Sequence, residues 1–135
     1  MNSNSHIVKA SFSKEDLYTL LYNAEHSETC VGVIRGSICC TLNGFFKEIS
    51  ATLHFPYYFG WNWAAVDECL TDLDWLSFTK ILIVIDDYGQ LFSAEQDRTA
   101  LCNTLVKYLD SFIQYWEGLS VPTEVIINES KKSMI

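Results

Sequence analysis

Residues 55–76 read FPYYFGWNWAAVDECLTDLDWL, and this stretch holds the residue types best suited to molecular recognition. Two adjacent carboxylates, Asp67 and Glu68, follow aromatics that include Tyr58, Trp61 and Trp63. A carboxylate accepts charge-assisted hydrogen bonds from Arg, Lys and His. Tyr and Trp bury much area at small entropic cost and often anchor interfaces. Together these residues would suit a plug for a cationic pocket. The charge distribution agrees with that reading. Across residues 48–75 there is no Lys or Arg, whereas Glu48, Asp67, Glu68, Asp72 and Asp74 are acidic. The net charge is −8, from 17 acidic and 9 basic residues. Such a surface steers a basic protein and repels nucleic acid, whose binders draw affinity from Lys and Arg on phosphates.

A second kind of chemistry is conceivable where the apolar run 81–85 (ILIVI) enters Asp86 and Asp87. Parallel α/β enzymes bind ligands and Mg²⁺ at such strand ends. A phosphotransferase also needs a Gly-rich loop or a Lys among phosphates, and neither GxxxxGK[ST] nor GxGxxG occurs; GxSxG is absent too. His6, His26 and His54 lie far apart, and the five cysteines (30, 39, 40, 69 and 102) show no zinc spacing. An enzyme using Asp86 and Asp87 is therefore a rival that rests on two residues, and no metal or cofactor is expected. The odd cysteine set, with an N-terminus lacking the layout of a signal peptide, reads as reduced thiols in a cytoplasmic protein. No apolar run approaches the ~18–20 residues of a membrane span.

The elements that position these groups follow from periodicity and punctuation. Ser13 is placed to cap a first helix, with Asp16 completing a capping box and Phe12 stapling onto Leu17. Leu17, Leu20, Leu21 and Ala24 give that helix one apolar stripe. Residues 30–34 (CVGVI) read as a buried strand. A helix through Phe45 or Phe46, Ile49 and Leu53 must stop before Pro56. Residues 54–63 are aromatic, aperiodic and broken by Pro56 and Gly60, which predicts a structured loop. From Asn62 to about residue 73, Val66, Cys69, Leu70 and Leu73 share one helical face. The opposite face then presents Ala64, Asp67, Glu68 and Thr71, with Asp72 beside them. Strand 81–85, a long helix over about 94–117 and strand 125–127 complete the order. Continuous apolar strands separated by helices predict an α/β fold with a three-stranded parallel sheet packed with helices. An extra N-terminal helix would occupy residues 1–29, ahead of a single compact unit over 30–135.

The loop and acidic helix resemble the barstar family. Its pattern runs Pro, any residue, Tyr, aromatic, Gly, any residue, Asn, then an acidic helix ending Cys-Leu-Thr. Here Pro56, Tyr58, Phe59, Gly60, Asn62, Ala65, Cys69, Leu70 and Thr71 stand at the matching offsets. The resemblance implies a cytoplasmic immunity protein, not an enzyme, that fills the active site of a secreted guanyl-type ribonuclease toxin; a monomer is favoured, with the oligomeric state left open. A helix carboxylate would substitute for the substrate phosphate, and Glu68 occupies that position, which is Asp in the best-known member. Tyr58, Gly60, Asn62 and Thr71 match further contact positions. Two departures stand out: Ala64 replaces an acidic contact, and Asp67 replaces an aromatic one. They favour a ribonuclease other than barnase. Trp63 and Asp72 complete the expected contact set, and Glu117 is a candidate for an acidic contact from the last helix. The alternative within the same scaffold is a binding module for a non-nuclease protein.

Overall fold

A computed structural model describes residues 7–129. The His6 named above lies outside the described residues. The chain runs β1 (Ile7–Ala10), α1 (Lys14–Glu25), β2 (Thr29–Arg35), α2 (Leu42–Thr52), α3 (Trp63–Leu70), β3 (Lys80–Asp86), α4 (Arg98–Gly118) and β4 (Thr123–Asn128). Short 3₁₀ turns follow β2 and β3. The strands form one parallel sheet in the order β1-β4-β3-β2. The expected three-stranded sheet is therefore corrected to four. The missed strand, IVKA, has only four residues and sits at the sheet edge, paired with β4 from Ile7 opposite Val125 to Ala10 opposite Asn128. Its stability comes from that distant pairing, so it lacks the apolar run that marks β2 and β3.

β3 is central and apolar on both faces. Ile81, Ile83 and Ile85 point into a core shared with Ile34, Val125 and helices α2, α3 and α4. Leu82 and Val84 point the other way, where Leu17 of α1 and Ile126 close a second, smaller core. A strand buried on both sides must be apolar at successive positions, which explains ILIVI. α1 is thus the cover of one sheet face. Ser13 caps its start, with Asp16 N donating to Ser13 Oγ at 3.1 Å; among the described residues no bond from Ser13 N to the Asp16 carboxylate completes the expected capping box.

Two indole groups close helix ends. Trp75 Nε1 donates to the Leu53 carbonyl at 2.9 Å just beyond α2, and Trp116 Nε1 donates to the Leu70 carbonyl at 2.8 Å at the end of α3. Carbonyls left over at a helix C-terminus need such partners. The second bond also fixes α3 against α4.

Candidate functional site

The acidic helix begins at Asn62, whose side-chain Oδ1 accepts from Ala65 N at 2.8 Å while its Nδ2 donates to the Gly60 carbonyl at 3.2 Å. One side chain therefore caps α3 and ties down the preceding loop. α3 is shorter than the sequence predicts. Thr71 Oγ1 donates back to the Asp67 carbonyl at 3.0 Å, and Leu73 lies beyond the helix with φ 48°. The expected inward face is nevertheless present: Val66, Cys69, Leu70 and Leu73 are buried.

On the outward face, Ala64 and Glu68 are exposed, Asp67 and Thr71 half-buried, and Asp72 exposed. The loop joins this face where Tyr58 Oη donates to Asp72 Oδ2 at 3.4 Å. Asp72 Oδ1 also accepts from Asp74 N at 3.3 Å. Among the described residues, the Asp67 and Glu68 carboxylates have no hydrogen-bond or ion-pair partner. The charges of Glu68 and Asp72 are felt nearby. The Cys69 thiol is raised above its ordinary value by burial, then by Glu68 and Asp72. The Tyr58 phenol is raised too, by desolvation and then by Asp72.

Trp63 has a different setting. It is half-buried, packs against Phe45, Phe46 and Phe92, and stacks parallel on Tyr108 with ring centroids 5.6 Å apart. It anchors α3 to α2 and α4. Gly60 carries a second surprise. Its φ is negative, and the left-handed conformation falls instead on Trp61, with φ 58°. A Cβ on Gly60 would meet Asn62 Nδ2 at 3.4 Å and Ala65 Cβ at 3.6 Å, which is ordinary contact. The fold itself therefore places little demand for glycine there.

Glu48 does not contribute free charge to the patch. It is buried and bound by Arg35 in a fork, Nε to Oε2 at 2.7 Å and Nη2 to Oε1 at 3.0 Å, with Arg35 N adding a third bond at 3.1 Å. That arrangement holds the Glu48 carboxyl below its ordinary range. Glu117 is exposed, and its Oε2 accepts from Thr123 N at 2.9 Å, bracing the turn from α4 into β4. Asp86 is buried, and its carboxylate is engaged by Lys14 Nζ at 2.9 Å and Asn128 Nδ2 at 2.8 Å. Lys14 also lies 3.5 Å from Asp87. The strand-end pair is thus tied to α1 and β4. Among the described residues, no group of three or more His, Cys, Asp and Glu side chains is arranged to hold a metal ion. All five cysteines are free; burial raises Cys30 to about 11 and Cys39 to about 12, which makes them poor nucleophiles. A hollow of about 470 Å³ lies between α1 and the starts of β3 and β4, and none of its lining residues comes from α3 or its loop.

Comparison with known proteins decides the family. Residues 30–128 match the family model described as Barstar (barnase inhibitor). The chain belongs to the barstar family. The match runs from β2 to the end of β4 and so includes the loop, α3 and the pairing of Arg35 with Glu48. This is an inhibitor family by its description, and barstar-like proteins act on a protein partner. β1 and α1 precede the matched region. No curated protein matches the chain. Among solved structures, the crystal structure of Cdc6p from Pyrobaculum aerophilum is similar over 93% of this chain, with TM-score 0.54 and 16% identity. The chain spans 32% of the length of that structure. At that identity the likeness is one of fold. No helix among the described residues is long and apolar enough to cross a membrane.

Proposed function

We propose that this barstar-family chain is an immunity protein that blocks the active site of a secreted, basic ribonuclease toxin through loop 56–62 and α3. The observation that carries this reading is the contrast among its carboxylates. Glu48 and Asp86 are buried and paired with Arg35 and Lys14, while Glu68 and Asp67 on α3 have no partner among the described residues. A ribonuclease active site collects cations around the substrate phosphate, and an unpaired carboxylate on a rigid helix is a substitute for that phosphate. Tyr58, Gly60, Asn62, Trp63, Ala64, Thr71 and Asp72 surround Glu68 in this reading. Trp63 supports the helix from behind, and Gly60 lets the partner approach the backbone closely.

The test is inhibition of a panel of purified guanyl-type microbial ribonucleases that includes barnase. At least one enzyme should be inhibited stoichiometrically. Ala64 and Asp67, standing where the family places an acid and an aromatic, should make that enzyme one other than barnase. Glu68→Ala leaves cationic groups in the enzyme desolvated and unpaired, at a cost of about 2–5 kcal/mol in binding. The fold should be unaffected, because the side chain is exposed. Glu68→Gln should recover part of the loss. Full inhibition by Glu68→Ala would show that α3 is not the plug.

A further inference from the structure

Two positions that the family pattern leaves open, one before Tyr58 and one after Gly60, are aromatic here: Tyr57 and Trp61. Both face solvent, Tyr57 at 101% relative exposure and Trp61 at 47%. Trp61 rests on Phe59, with ring centroids 5.4 Å apart. Its φ of 58° places a bulky residue in the left-handed region, which is unfavourable for any residue with a Cβ. The glycine beside it has a negative φ, so the strained conformation is carried by the tryptophan. Strain of this kind persists only where the surrounding structure fixes the residue; Leu73 and Phe92 carry it in the core, whereas Trp61 carries it at the surface. The Tyr57 and Tyr58 ring centroids lie 6.1 Å apart, edge to face, and Tyr58 is bonded to Asp72, so Tyr57 adjoins the acidic surface.

We infer that Tyr57 and Trp61 form a second recognition surface, an aromatic platform that receives arginine side chains from the rim of the partner's active-site cleft. This inference rests on the ribonuclease reading and names the partner chemistry at its edge. Exposed rings joined through Tyr58 to the exposed Asp72 carboxylate suit a guanidinium, which stacks flat on an aromatic ring while its edge pairs with an acid. An ammonium lacks the plane and gains less. Because the two positions lie outside the shared pattern, they would set which ribonuclease is bound, while Glu68 supplies the common contact.

The test uses the full chain and the same panel of ribonucleases, barnase included. Trp61→Gly relieves the left-handed backbone, so its melting temperature should equal or exceed the parent's. Tyr57→Ala should melt as the parent does. Each should nevertheless weaken inhibition tenfold or more, mainly through faster dissociation, and Trp61→Phe should keep most of the affinity. Unchanged inhibition by Trp61→Gly and Tyr57→Ala, with Glu68→Ala crippled, overturns the platform and leaves the ribonuclease reading standing. A lowered melting temperature for Trp61→Gly also overturns it, since the ring would then be a scaffold element. If the parent inhibits no enzyme of the panel, both inferences fall together.

Discussion

At the scale of single residues, an acidic side chain here has one of two roles, and its partners decide which. Glu48 is buried and held by three bonds from Arg35, so its charge serves the fold. Its carboxyl titrates below the ordinary value, chiefly because of the Arg35 hydrogen bonds. The sign follows from linkage. A depressed folded-state pKa contributes stability that is fully present above the unfolded carboxyl value of about 4.3. That stability is lost as pH falls through the lower folded value. Urea unfolding of the parent should therefore show a fall in stability across this acidic window that is smaller in Glu48→Gln. At neutral pH, Glu48→Gln should cost about 1–3 kcal/mol, toward the lower end because Arg35 is largely exposed. A variant as stable as the parent with the same pH profile would show that the pair adds nothing. Glu68 has the opposite character, exposed and unpaired among the described residues, and its loss is expected in binding alone.

Elements divide in the same way. α1 lies on one face of the sheet, with Leu17 against Leu82, Val84 and Ile126. α3 belongs to the other face, with Val66 completely buried in the larger core. Leu17→Ala should cost about 2–4 kcal/mol by opening a cavity beneath α1. Its effect on inhibition should be small, because the sheet separates it from α3. Val66→Ala removes less volume and lies on the buried face of α3, so it should lower stability by about 1–3 kcal/mol and leave the outward side chains in place. Denaturant unfolding followed by inhibition assays checks both. A large loss of inhibition by folded Leu17→Ala would mean that α1 takes part in recognition.

For the molecule as a whole, charge is unevenly spread, and two of the cations are taken up by acids outside α3. Lys14 is bound to Asp86 and Asp87, and Arg35 to Glu48, while residues 48–75 contain no cation to neutralise α3. The resulting field should steer a basic partner, and association should slow as salt shortens the screening length to about 8 Å at physiological ionic strength. Asp74→Asn, removing an exposed charge beside the helix, should reduce the association rate more than it raises the dissociation rate. Stopped-flow measurements across a salt series decide it. A salt-independent association rate would remove steering from the mechanism.

Local pattern alone determined the buried strands of residues 30–34, 81–85 and 125–127, the helices between them, and the loop and acidic helix with their family motif. These features are written in periodicity and caps, which depend on residues a few positions apart. The inward face of α3 and the cap at Asn62 belong to this class. The tertiary structure alone decided the fourth strand, because IVKA is a strand only when paired with β4. It also decided that Glu48 and Asp86 are satisfied while Glu68 has no partner among the described residues. Lys14 reaches Asp86 across 72 positions, Asn128 reaches it across 42, and Arg35 reaches Glu48 across 13. Trp63 and Trp61, two residues apart, diverge for the same reason: the first meets Phe45, Phe92 and Tyr108 from distant helices and turns, and the second meets solvent. Burial of an element's own face is encoded locally; which distant group a charge or ring meets is set only when the sheet closes.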